Sequence, residues 1–119
     1  MSEIKVSRLS DAASTLPEPG LQRKVLAFGE NLMLVRHVMK KGWQGTRHQH
    51  PHDQLVYIIQ GRLRFTGGSS SFEVAAGDSF VVPGGVEHQA SALEESEVLD
   101  VFHPYREDYV PAGNQGVVG

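Results

Sequence analysis

Short apolar runs recur along the chain at spacings of roughly 8–12 residues, each closed off by Gly, Pro, Asn or Asp, a pattern that points to an all-β barrel or sandwich. The runs read as strands near 23–28 (RKVLAF), 31–39 (NLMLVRHVM), 46–50 (TRHQH), 54–60 (QLVYIIQ), 62–66 (RLRFT), 71–75 (SFEVA), 79–83 (SFVVP), 86–92 (VEHQASA) and 96–103 (SEVLDVFH). Gly29-Glu30-Asn31, Lys41-Gly42, Gly61, Gly67-Gly68, Gly77-Asp78 and Gly84-Gly85 supply the turns between them. No long segment carries the apolar period of a helix. Strand alternation assigns faces: Gln54 shares one with Val56 and Ile58, and Val98, Asp100 and Phe102 share another, directed inward with Leu99 and Val101 outward. Tyr57, of opposite parity to Gln54, is expected in the core, and Trp43 in the core or at the rim. Residues 1–22 read as an N-terminal arm, in which SDAASTLPEPG combines a short helical turn with two prolines and a glycine. Residues 23–119 read as one barrel domain with a tail that frays at its end.

Composition narrows the class. Eleven Lys plus Arg against fourteen Asp plus Glu give a net charge of −3 and leave no basic face for nucleic acid. There is no cysteine, so disulfides and thiolate metal sites are excluded. No apolar run is long enough to span a bilayer, and MSEIKVSRLSDAAS has no apolar signal core, so the expectation is a cytoplasmic protein without a membrane partner. Open sheet edges and the arm favour a homodimer.

The distinctive chemistry is histidine. Four of the six histidines lie between positions 48 and 88, three of them in HQHPHDQ. On a strand, His48 and His50 point to the same side, Gln54 opens the next strand, and His88 follows the Pro-Gly-Gly turn. Three imidazoles and one side-chain oxygen suit one divalent Zn, Fe, Ni, Cu, Co or Mn ion with open positions left for a ligand. His52 belongs to this set or to its rim, and Asp53 is a rival to Gln54. His37 and His103 have no partner at metal spacing and read as ordinary strand or rim residues. On the last strand, Asp100 lies among apolar neighbours as a candidate proton carrier, or else orients a ligand. Arg106 either reaches over the mouth to a substrate carboxylate or forms a surface ion pair with Glu107 or Asp108.

These residues resemble the cupin family, whose two motifs are G-x5-HxH-x3/4-E-x6-G and G-x5-PxG-x2-H-x3-N. Gly42, His48, His50, Gln54 and Gly61 stand at the first spacing, and Gly77, Pro83, Gly85, His88 and Ala92 at the second, so that eight of ten positions agree. The resemblance implies a double-sheet β-barrel, a jelly-roll-like fold, with a metal inside its wider mouth. Gln54 in place of the acidic ligand leaves the site one unit more positive, which favours Lewis-acid chemistry on an anionic or hydroxylated ligand over redox chemistry. The pairing of HPHDQ with DVFHPYREDYV is similar to the KdgF-type cupins, which linearise 4,5-unsaturated monouronates from pectin and alginate. That resemblance implies His48, His50, Gln54 and His88 as metal ligands and Asp100, Phe102 and Arg106 as the residues lining the active site. The rival expectations are a three-histidine metal dioxygenase and a non-catalytic sugar-binding or sensor cupin.

Overall fold

A computed structural model describes residues 3–110 of the chain. The expected fraying of the last residues and the first two residues of the arm lie outside the described residues. Among the described residues, nine antiparallel strands form two sheets: β1 (Ser14–Glu18), β2 (Leu21–Phe28), β3 (Met33–Met39), β4 (Asp53–Gln60), β5 (Arg62–Gly67), β6 (Ser70–Ala75), β7 (Ser79–Val82), β8 (His88–Ala92) and β9 (Ser96–His103). The larger sheet runs β1-β2-β3-β9-β4-β7 and the smaller β6-β5-β8. The only helical pieces among the described residues are 3-10 turns at Leu9–Asp11 and Glu107–Tyr109. The all-β expectation holds.

Alternation decides what faces inward. Along β3 every second residue is buried (Met33, Val35, His37, Met39), and along β9 the same is true of Ser96, Val98, Asp100 and Phe102. One apolar cluster gathers Leu21, Met39, Val56, Ile58, Leu63, Val74, Ala92 and Val98, with Trp43 and Phe80 packed against it. A second holds Met33, Val35 and Phe102 beneath Tyr105 and Tyr109. The polar residues His37, Gln54 and Asp100 sit on the inner face of the large sheet, His37 and Asp100 on strands that feed both clusters and Gln54 on one that feeds the first.

The structure corrects four local expectations. Residues 14–18, inside the expected arm, form strand β1 against β2, with an irregular register between Thr15 and Glu18. Pro17 is tolerated there because β1 is an edge strand and one of its sides needs no amide donor. Residues 46–50 do not form a strand. The segment that carries them touches β8 at two isolated bridges, Gln44↔Ser91 and His48↔His88, so a step of four residues faces a step of three and the ladder cannot continue. The strand expected over 86–92 begins only at His88. Tyr57 is not in the core: its parity is as expected, but the outer face of β4 is uncovered, and Leu55, Tyr57 and Ile59 are 45%, 47% and 39% exposed.

Candidate metal centre

The segment between β3 and β4 carries His48 and His50 past the first residue of β8, His88. Reciprocal backbone hydrogen bonds join His48 and His88, and the amide of Gly85 donates to the carbonyl of His50. These contacts bring the three rings together, with centroids 4.4 Å apart for His48 and His88 and 4.9 Å for His50 and His88. One nitrogen from each lies within 4.8 Å of the others, a grouping that could hold a metal ion.

The protonation pattern follows from the partners. The Nδ1 of His48 faces the Thr46 carbonyl at 2.8 Å, that of His50 the His52 carbonyl at 3.0 Å, and that of His88 the Val86 carbonyl at 2.8 Å. A carbonyl can only accept, so each Nδ1 carries the proton and donates it, leaving each Nε2 with a free lone pair. Burial, with the charges of Arg106 and His88, pushes the His50 imidazole down to about 4. Burial also lowers the pKa of His88. His50 and His88 are therefore neutral near pH 7, the form that ligates metals.

Gln54 completes the set. Its Nε2 donates to Asp100 Oδ1 at 2.8 Å, which turns its Oε1 toward His50 Nε2 at 3.1 Å. That last contact opposes two lone pairs, since the His50 proton is on Nδ1. His88 Nε2 is buried with no hydrogen-bond partner among the described residues. An orphaned lone pair and a lone-pair contact in one spot are unfavourable without a cation between them. The donor set thus fits a divalent transition metal.

Asp100, buried at 4% exposed, accepts at both oxygens: from Gln54, and from His37 Nδ1 at 2.7 Å. The Nε2 of His37 in turn accepts from Arg23 Nε at 2.9 Å, which fixes that tautomer as well. Phe102 is 1% exposed and turns its ring edgewise to His50, with centroids 5.7 Å apart. Arg106 is buried, not a surface residue. It grips both Asp108 oxygens, donates to the Tyr109 hydroxyl at 2.9 Å, and lies 4.0 Å above the Tyr109 ring. A cavity of about 390 Å³ opens over the cluster, bordered by His48, Gln54, His88, Asp100, Arg106 and Tyr109.

Of the residues singled out from sequence, His48, His50, Gln54, His88, Asp100, Phe102 and Arg106 are brought together. His52 is outside the cluster and contributes its carbonyl to His50. Asp53, the first residue of β4, accepts from the Gly84 amide at 2.8 Å. His103 is exposed and bonds the Asn31 carbonyl at 2.7 Å. His37, read as an ordinary strand residue, belongs instead to the hydrogen-bonded row behind the site, and Arg23 and Tyr109 were not singled out at all. The signal for His37 was its parity: a lone polar residue in the inward series Met33, Val35, Met39 needs a buried partner.

Comparisons with known proteins give the family. Residues 35–102 match the cupin domain family, and the chain belongs to it. Within that family it is similar to KdgF. The pectin degradation protein KdgF of Dickeya dadantii is 32% identical over 93 residues, covering 76% of this chain and 84% of that protein. The structure of KdgF from a Halomonas species superposes with a TM-score of 0.85 at 35% identity, covering 91% of this chain and all of that one. Oxalate decarboxylase of Bacillus subtilis, described with Mn(II) centres, superposes with a TM-score of 0.78 at 29% identity, and this chain spans 32% of its length.

Proposed function

We propose that this protein is a metal-dependent cupin enzyme that opens and ketonises 4,5-unsaturated monouronates released from pectin or alginate. The observation that carries the reading is the convergence of three Nε2 lone pairs and the Gln54 carbonyl beside a doubly hydrogen-bonded carboxylate, in a chain similar to KdgF. His48, His50, His88 and Gln54 would hold the ion, whose identity among Ni, Zn, Fe, Mn, Co and Cu follows availability as much as affinity. When bound, it supplies Lewis-acid polarisation of a substrate oxygen.

The chain's own residues do the rest. Ring opening breaks the bond between the anomeric carbon and the ring oxygen, and the resulting enol becomes a ketone. One proton leaves the anomeric hydroxyl and one arrives at the alkene carbon, with no net change in composition. Asp100 uses one lone pair of each oxygen on Gln54 and His37 and keeps the others for that proton transfer. Phe102 packs edgewise against His50 beneath the site and shapes the apolar surroundings of the ligands, and Arg106, ion-paired with Asp108, borders the mouth where an anionic substrate enters.

Loss of the ultraviolet absorbance of the conjugated unsaturated uronate reports the reaction. The protein loaded with metal is expected to accelerate that loss, and Asp100→Asn to retain metal while slowing turnover by about 10²-fold or more. Absorbance decay at the spontaneous rate with both pectin- and alginate-derived monomers would reject the reaction. His50→Ala and His88→Ala are each expected to abolish metal uptake, measured by elemental analysis of untagged protein. Full stoichiometry in both would reject the site. A cytoplasmic homodimer completes the reading. The exposed Leu55, Tyr57, Ile59 and Val81 on the outer face of the large sheet supply apolar surface for the contact, and sedimentation analysis tests it.

A further inference from the structure

Arg23 projects from β2 into the same cavity, opposite His37 on β3. Among the described residues it makes no ion pair, whereas Arg36, Arg47, Arg62, Arg64 and Arg106 each hold a carboxylate. Its guanidinium carbon lies 3.7 Å from the centre of the Tyr109 ring, and its Nε is spent on His37. A guanidinium has five N–H donors, so the four on its terminal nitrogens have no acceptor from the described residues. Of the acids that line the cavity, Glu18 accepts from Trp43 Nε1 at 2.7 Å, Asp100 from Gln54 and His37, and Asp108 from Arg106. Arg23 is half-buried, so its unused fork is open to a ligand entering the cavity, and a planar carboxylate matches that fork with two parallel hydrogen bonds. Arg106, by contrast, has its fork closed on Asp108.

We propose that Arg23 is a specificity-determining residue of this cavity, binding the carboxylate of the incoming sugar acid through its two terminal nitrogens. This rests on the reading of the substrate as a uronate. It deepens that reading by assigning the acid group to β2, a strand outside both histidine motifs. Tyr109 holds the guanidinium flat from one side, and His37 fixes its Nε.

The test compares binding of D-glucuronate with that of D-glucuronamide and D-glucose to the metal-loaded protein, by calorimetry at low salt. Wild type is expected to prefer glucuronate over the amide by about 10- to 100-fold, the scale of hydrogen bonds between charged groups. Arg23→Gln should erase that preference, with glucuronate binding falling further than glucose binding. Arg23→Lys, which keeps the charge without the fork, should retain part of it. Melting curves and metal content establish that each variant is folded and loaded, and the lysine variant carries the test if the glutamine one is not. Full preference in the folded Arg23 variants, its loss in Arg106→Gln alone, or its absence from wild type would each overturn the assignment. The two ideas fail separately. Turnover of unsaturated uronates with an unaltered Arg23 variant sinks Arg23 and leaves the reaction. Glucuronate binding that depends on Arg23, without any turnover, sinks the reaction and leaves Arg23.

Discussion

At Gln54 a single hydrogen bond decides which end of an amide faces the histidines. Asp100 accepts only, so the amide nitrogen turns to it and the carbonyl oxygen is delivered to the ring nitrogens. Gln54→Glu removes the donor and sets two carboxylates side by side. With metal bound, the added negative charge is compensated; without it, the pair repels. The expected outcome is a variant that keeps or tightens metal, binds anions more weakly, and melts at a lower temperature than wild type only when stripped with a chelator. Equal melting of the two stripped proteins would show that residue 54 does not face Asp100. The four donors were legible in the sequence because HxH, Gln54 and His88 stand at motif spacing. Arg23, His37 and Tyr109 were not, because what selects them is a contact across strands, and no spacing along the chain encodes which strands are neighbours.

The segment between β3 and β4 shows the same limit for whole elements. Its composition reads as a strand, yet the offset between its two bridges to β8 leaves it a braced loop. Bracing comes from close approach. A Cβ at Gly84 would sit 2.2 Å from the Pro51 carbonyl oxygen, midway between His50 and His52 in the sequence. Backbone is the obstacle, so the loop must shift. Gly84→Ala is therefore expected to weaken metal binding by about 10- to 100-fold, the usual effect of disturbing the groups that orient ligands. Competition with a fluorescent chelator measures this, and unchanged affinity would mean that the loop moves without carrying the rings. Strand β1 escaped prediction for a related reason: two prolines and a glycine look like a break, yet Pro19 and Gly20 only make the turn into β2, and Pro17 sits in the strand because β1 is at an edge.

For the whole molecule, neutral buried imidazoles make stability depend on pH. The unfolded chain takes up protons on histidine near the ordinary value of about 6.5, whereas folded, metal-free His50 resists until about 4. Above the upper value neither state is protonated and the site contributes nothing. As pH falls through the window, the unfolded state binds the extra proton, so stability declines and then levels off. His88, also lowered, acts in the same direction. Metal-free protein is expected to melt at progressively lower temperature from pH 6.5 toward 4, and the loaded protein to release its ion over the same range as protons compete for Nε2. A flat melting temperature for the metal-free form would contradict the burial that depresses these groups. The β class was legible from strand spacing alone. The order β1-β2-β3-β9-β4-β7 was not, since β9 pairs with β3 across more than half the chain, and only the family resemblance pointed to such an arrangement.

The row Arg23, His37, Asp100 and Gln54 takes one residue from each of four adjacent strands, and every member has a fixed sense as giver or taker of a proton. Inheritance must respect that grammar. A lineage that acquires an acidic residue at position 54 leaves Asp100 facing an acceptor. The row is restored by an amide at position 100, whose nitrogen gives to the new carboxylate while its oxygen takes from His37. Positions 54 and 100 should then change together among descendants of a common ancestor, glutamine with aspartate and glutamate with asparagine. In the laboratory the same coupling predicts that the chelator-stripped Gln54→Glu, Asp100→Asn double variant melts above the Gln54→Glu single one, a non-additivity of the kind neighbouring groups in one network show.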